Sequence, residues 1–95
     1  MNIIISRKAG KSITAVVRFI ESKNTIGSGK VWFEKIKKYL VNISKIHHSV
    51  SACKYPPFKE KKLKCVIYKD WVIAFRVNEN DFIIDAFIHG SNLNY

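Results

Sequence analysis

The last third of the chain places the strongest constraint on the fold. It contains three apolar, strand-like segments at residues 63–68, 71–77 and 82–88. The connections between them are very short: Lys69-Asp70 first, and then residues 78–81. Connections of this length join antiparallel neighbours, because a parallel pairing needs a crossover of about a dozen residues or more. The sequence therefore predicts a three-stranded antiparallel meander.

A lysine cluster runs directly into the first strand of this meander. Its members are Lys59, Lys61, Lys62 and Lys64. The whole chain has seventeen Lys and Arg residues against seven acidic ones, a formal net charge of +10. Such an excess on a small domain favours an anionic partner, which can be nucleic acid, an acidic protein or an anionic surface. Clustered lysines also serve simply as a solvated strand edge that blocks aggregation, and both interpretations stay open.

The first half of the chain predicts one short strand and two helices. Residues 2–6 include three consecutive isoleucines, a pattern typical of a short buried strand. Apolar residues then recur at helical spacing from about Arg7 to Lys23 and from about Ser28 to Ile46. The segment from His47 to Pro57 has no periodicity and is predicted to be a loop that crosses to the meander.

Together these segments predict an α+β fold of order β-α-α-β-β-β. Two helices cover one face of a small antiparallel sheet, and residues 1–95 form a single domain. We expect Trp32, Phe33, Leu40, Trp71, Phe75 and Ile84 to share one core. In the strands, alternation places two sets on the helix side: Trp71, Ile73, Phe75, Val77 and Phe82, Ile84, Ala86, Ile88.

The opposite face of the predicted sheet carries the charged and polar residues. These are Lys64, Arg76, Asp85 and His89. A strict two-residue turn at Lys69-Asp70 would move Lys64 to the Phe75 side, where a buried charge is costly. We therefore expect a bulged, three-residue turn that pairs Leu63 with Phe75 and leaves Lys64 outside.

The two cysteines, Cys53 and Cys65, are interpreted as reduced thiols rather than as a disulfide. The N-terminus does not have the pattern of a signal peptide, and no apolar run approaches the ~20 residues of a membrane span, so we expect a cytoplasmic protein without membrane contact. A zinc site built from His47, His48, Cys53 and Cys65 matches no four-ligand spacing. Neither a metal nor a cofactor is expected.

Three short motifs stand in the meander at a characteristic spacing. A basic residue follows a hydrophobic one in Leu63-Lys64, an aromatic residue seven positions later opens Trp71-Val72-Ile73-Ala74-Phe75, and the last strand ends in Ile88-His89. Their order, within a strand, two helices and a meander, resembles the RelE/ParE superfamily of toxins from bacterial type II toxin–antitoxin systems. The resemblance covers essentially the whole chain.

The resemblance implies a toxin that a cognate acidic antitoxin protein neutralises. Toxins of this superfamily either bind a target such as DNA gyrase or cut messenger RNA on the ribosome. For cleavage, the candidate catalytic residues are Lys64, Arg76, His89 and Tyr95. For binding of the target or of nucleic acid, the candidates are Lys59, Lys61, Lys62, Lys64, Arg76 and His89.

Two positions depart from the pattern of the RelE-type nucleases. Those enzymes often have an arginine at the second position of the middle strand, where this chain has Val72, and another after the histidine, where this chain continues with Gly90. Valine cannot stabilise the charge on a phosphate under attack. The sequence therefore favours a ParE-like toxin that acts by binding its target. A ribosome-dependent mRNA endoribonuclease is the first alternative, and a non-toxic basic binding module or degenerate toxin is the second.

Overall fold

The computed structural model describes residues 1–92 and confirms the predicted α+β fold and element order. The strands and helices are β1 Asn2–Ile5, α1 Arg7–Lys23, α2 Ser28–Lys45, α3 Pro56–Glu60, β2 Lys64–Tyr68, β3 Trp71–Asn78 and β4 Asp81–His89. The segment predicted to be an irregular loop contains a short 3₁₀ helix at His47–Ser49 and the start of α3. Pro56 and Pro57 begin α3, where a missing N–H costs nothing and a fixed φ favours the helix. None of the helices within residues 1–92 is long and apolar enough to cross a membrane.

The four strands form one mixed sheet in the order β1-β4-β3-β2. The β2–β3–β4 meander is antiparallel, as predicted. The first strand departs from the expectation of a wholly antiparallel sheet, because β1 pairs with β4 in parallel, with Ile3 beside Phe82 and Ile5 beside Ile84. A parallel neighbour is possible here because three α-helices and two strands separate β1 from β4 in the chain.

The first hairpin has a strict two-residue turn, so the predicted bulged turn is wrong. Tyr68 pairs with Trp71 across Lys69-Asp70, and Lys64 pairs with Phe75. Lys69 adopts the left-handed backbone conformation that such a tight turn requires, with φ of 55°. The cost expected for Lys64 is avoided because its Nζ atom leaves the core and donates to the backbone carbonyl of His47 at 2.9 Å.

A bulge in the second hairpin reverses the alternation of β4. Phe75 pairs with Ile84 and Ala74 with Ala86, so Asp85 is an extra residue without an opposite partner. The predicted helix-side positions of Phe82 and Ile84 are confirmed, and those of Ala86 and Ile88 are wrong. After Asp85 the helix side instead receives Phe87 and His89, which pair with Ile73 and Trp71.

The main core lies between the two long helices and the sheet. Its buried members are Ala9, Ile13, Ile36, Leu40, Ile43, Ile73, Phe75, Phe82, Ile84 and Phe87. The six residues predicted to share one core all belong to it: Leu40, Phe75 and Ile84 are buried, and Trp32, Phe33 and Trp71 pack partly buried against them. The rings of Phe75 and Phe82 stack at its centre, with centroids 4.4 Å apart.

A second, smaller core covers the reverse face of the sheet. It contains Cys53, Phe58, Leu63, Ala74 and Ala86, with Tyr55, Cys65 and Ile88 packed against them. The chain between α2 and β2 therefore folds back across a face that the sequence pattern predicted to carry mainly charged and polar residues. As a result four successive residues of β3, from Val72 to Phe75, are buried, as in a strand that is covered on both sides.

The connection between α1 and α2 is held by the carboxylate of Glu21. It accepts hydrogen bonds from the backbone N–H of Gly27 at 3.0 Å and of Gly29 at 2.8 Å. These bonds satisfy amides at the start of α2 and lower the pKa of Glu21. Gly29 allows the helices to approach closely, because a Cβ atom there would lie 2.7 Å from the carbonyl oxygen of Val17.

We expect Phe75→Ala to lower the free energy of unfolding by about 4 kcal/mol, because the substitution leaves a cavity at the centre of the main core. The measurement is urea denaturation, with unfolding monitored by tryptophan fluorescence. The matched control is Phe19→Ala, which removes the same ring from a side chain that is 63% exposed. Equal, small effects of the two substitutions would show that Phe75 is not at the centre of the core.

Candidate functional site

Three of the candidate lysines lie together on one exposed turn ahead of β2. Lys59 is in the last turn of α3, Lys61 follows the helix, and Lys62 has a left-handed backbone with φ of 59°. The N–H of Lys62 donates to the carbonyl of Lys59 at 3.0 Å, which closes the turn. The expectation of a heavily basic first strand is therefore wrong, because only Lys64 of the cluster belongs to β2. We refer to Lys59, Lys61 and Lys62 as the basic turn.

Two buried side chains hold the basic turn against the sheet. Phe58 and Leu63 flank the lysines and belong to the reverse-face core. The N–H of Leu63 donates to the carbonyl of Phe58 at 3.0 Å, and the N–H of Cys53 donates to the carbonyl of Leu63 at 2.9 Å. The lysines thus lie on a short segment whose ends are anchored in the core.

A disulfide between Cys53 and Cys65 closes the same segment, so the prediction of two reduced thiols is wrong. The two cysteines lie diagonally across the antiparallel Ala52–Lys64 bridge, with their Cα atoms 4.9 Å apart. The separation of twelve residues in the sequence contains no information about this contact. The disulfide also leaves neither thiol free to join His47 and His48 in a zinc site.

Lys64 serves as a structural contact between β2 and the end of α2. Its half-buried side chain lies on the helix side of the sheet, opposite Phe75, and its Nζ atom donates to the carbonyl of His47. Desolvation lowers the pKa of His47, and the nearby His48 and Lys64 lower it further. The Lys64 ammonium is thus engaged by the protein itself.

Arg76 lies on the reverse face of the sheet, on the other side from Lys64. It pairs with Ile83 of β4, and its Nε atom is 3.9 Å from Oδ1 of Asp85. The Arg76 side chain is 52% exposed and that of Asp85 is 30% exposed, and a solvent-accessible pair at this distance contributes little to stability. Arg76 is therefore accessible to an anionic partner.

His89 lies at the far end of the sheet and packs against Trp71. The two rings meet edge to face with centroids 5.1 Å apart. The Nδ1 atom accepts the backbone N–H of Ser91 at 3.2 Å and lies 2.7 Å from the Ser91 hydroxyl. In the neutral ring this assigns the proton to Nε2. The basic nitrogen of His89 is therefore already engaged, which does not suit a general base.

The structure does not bring the candidate catalytic residues together. Lys64 pairs with Phe75 and His89 with Trp71, which are four residues apart along β3, or about 13 Å. Arg76 is on the opposite face, and the fourth candidate, Tyr95, lies outside the described residues. Lys64, Arg76 and His89 therefore cannot surround one phosphate in this conformation.

A shallow cleft of about 260 Å³ lies where the first hairpin turn meets the chain after β4. Its lining includes Tyr55, Lys69, Asp70, Val72, His89 and Ser91. The N–H of Gly90 donates to the carbonyl of Asp70 at 2.8 Å and holds the two segments together. Sequence reasoning missed Lys69 and Asp70, although in an antiparallel meander the first turn necessarily lies beside the end of the third strand. Val72, which is buried, is an apolar residue of this lining.

Comparisons with known proteins add no family to this description. No protein-family model matches the chain, and no curated protein is significantly similar to it. The interpretation of the basic turn and the cleft therefore depends on their geometry and on the motif order noted in the sequence.

We expect the double substitution Cys53→Ser, Cys65→Ser to lower the free energy of unfolding by about 3 kcal/mol, because the disulfide constrains a loop of about a dozen residues in the unfolded chain. Urea denaturation measures the change. The wild type under reducing conditions is the control and should fall to the same stability. Titration of two free thiols in denatured, never-reduced protein would contradict the pairing.

Proposed function

We propose that the chain is the toxin of a type II toxin–antitoxin system and that it acts, like ParE, by binding a cellular target such as DNA gyrase. The observation that carries the proposal is the separation of Lys64, Arg76 and His89, which suits a contact surface better than a catalytic centre. The order of strands and helices and the spacing of the three meander motifs support membership in the RelE/ParE superfamily.

The chemistry of RNA cleavage explains why this separation argues against a nuclease. Cleavage needs a base for the 2′-hydroxyl and positive groups around the phosphate. One preorganised donor of this kind contributes about 3–4 kcal/mol of transition-state stabilisation, a factor of a hundred or more in rate. Here Val72 is buried. The Nδ1 atom of His89 accepts a hydrogen bond from the backbone N–H of Ser91, and the Nζ atom of Lys64 donates one to the carbonyl of His47. We therefore expect weak cleavage or none.

The basic turn and Arg76 form the best surface for an acidic antitoxin. Continuing the register from the Lys64–Phe75 pair places Leu63 level with Arg76, so the basic turn and Arg76 lie at the same end of the sheet. β2 is the last strand at this edge, and its Ile67 is 61% exposed. Residues 51–53 already pair with this edge beside Lys64, so an antitoxin segment lies across the basic turn and Arg76 rather than adding a strand there. Its carboxylates make association fast and sensitive to salt.

This placement differs in one residue from the expectation formed on the sequence. The sequence predicted Lys64 on the same face as Arg76 and among the candidate binding residues, with Lys62. Its position on the helix side, bonded to the carbonyl of His47, removes it from that surface. Lys62 and Arg76 remain as the candidate contacts.

Inducible expression in a bacterium tests the proposed toxicity. We expect growth arrest with filamentation and DNA damage, while incorporation of labelled amino acids continues during the first minutes. Co-expression of a short acidic protein encoded beside this gene should restore growth. Unimpaired growth at high expression would instead support the non-toxic basic binding module or degenerate toxin.

Toe-printing on translating ribosomes tests the nuclease alternative in the same system. The wild type should give weak cuts or none in the ribosomal A site. The variants Lys64→Ala and His89→Ala are compared with Lys45→Ala, an exposed lysine in the last turn of α2. Clean A-site cuts by the wild type and by Lys45→Ala, lost in the other two variants, would make the protein a ribonuclease.

A further inference from the structure

The exposed side of α1 carries a row of cations that the proposed toxin function does not use. One side of the helix, opposite its buried face, carries Arg7, Lys11, Thr14 and Arg18. Each is three or four residues from the next, the spacing that aligns side chains along a helix. We refer to these four residues as the α1 row. With Gly10 and Ala15 they line a shallow groove of about 530 Å³.

The charge of the α1 row is not neutralised within the part of the chain that the structure describes. The ion pairs found in residues 1–92 join Lys37 to Glu34 and Arg76 to Asp85, and neither involves α1. The only acidic residue of α1 is Glu21, and its carboxylate accepts hydrogen bonds from the backbone N–H groups of Gly27 and Gly29. The cations of the row therefore present their charge to solvent.

The start of α1 adds to this positive potential. Its first turn contains Arg7 and Lys8 and no acidic residue, although the dipole of a helix favours acidic residues at this end. The arrangement is unfavourable for the isolated helix. It becomes favourable when an anion lies along the row, because the helix dipole and the side chains then attract the same group.

The dimensions of the α1 row match an extended polyanion better than a single small anion. The row runs from Arg7 to Arg18, twelve residues of helix, or about 16 Å between the ends. One strand of a nucleic acid carries a phosphate for about every 3.4 Å of its axis, so several phosphates fall within that length. The small residues Gly10 and Ala15 leave room beside the cations for a sugar–phosphate chain to approach the helix.

Apart from its arginines and lysine, the groove has no side chain suited to recognise bases. Its lining contains no aromatic side chain on which a base can stack, and no Asn or Gln for paired hydrogen bonds to a base edge. Contacts from arginine and lysine to phosphates position a nucleic acid without reading its sequence. We propose that the α1 row is a sequence-independent binding surface for the phosphate backbone of nucleic acid.

Fluorescence anisotropy with a labelled, short, mixed-sequence DNA duplex tests the proposal on the full chain. The row variant is Arg7→Gln, Lys11→Gln, Arg18→Gln. The matched control is Lys30→Gln, Lys35→Gln, Lys38→Gln, which removes the same charge from exposed positions on α2. Glutamine is a good helix former, so far-UV circular dichroism should be the same for both variants and the wild type.

We expect the row variant to bind at least about tenfold more weakly than the wild type at low salt, and the slope of log affinity against log salt to become shallower by about 2–3, as for the loss of three phosphate contacts. The control should change the slope by less than about 1. Equal losses of affinity in both variants would show that binding depends only on the net charge of the protein, and would overturn the proposal.

Two further outcomes would also overturn the proposal. One is a wild type that does not bind the duplex at low salt. The other is a row variant that loses binding to an acidic polypeptide such as polyglutamate and retains binding to the duplex, which would assign the row to an acidic protein. Because growth arrest is measured separately, failure here is distinguishable from failure of the proposed toxin function.

Discussion

The pairing of β2 with β3 determines where the functional side chains of this domain lie. With a two-residue turn at Lys69-Asp70, Lys64 lies on the helix side and donates a hydrogen bond to the carbonyl of His47, while Cys65 lies on the reverse face. Cys65 can then form its disulfide with Cys53, and that bond holds the segment that carries the basic turn. A shift of one residue would exchange the faces of every residue in β2.

The cover on the reverse face converts a simple two-layer domain into one with three layers over part of the sheet. Phe58 and Leu63 are the buried contacts of that cover, and the lysines between them remain outside. The positive charge is consequently distributed over separate surfaces: the basic turn near Arg76, and the α1 row on the far side of the helices. The cations therefore do not converge on one centre.

The sequence predicted those features that depend on local patterns. Both long helices begin at the predicted residues, Arg7 and Ser28, because helical spacing and a glycine-containing turn are local signals. Features that depend on remote contacts were missed. The disulfide and the hydrogen bond from Lys64 to the carbonyl of His47 each join segments whose proximity no spacing in the sequence reveals. The bulge at Asp85 lies between strands that were predicted to be neighbours, but nothing in the alternation of β4 marks it. The set of candidate site residues changed because Lys64, through its contact with His47, lies on the helix side and not beside Arg76.

The most direct test of this structure is the register of the first hairpin, measured by NMR as nuclear Overhauser effects between backbone protons of β2 and β3. We expect contacts that pair Lys64 with Phe75 and Val66 with Ile73, together with a contact between Phe75 and Ile84 across the bulge. Contacts that pair Leu63 with Phe75 would contradict the structure. They would return Lys64 to the face of Arg76 and place two of the candidate cations on one surface.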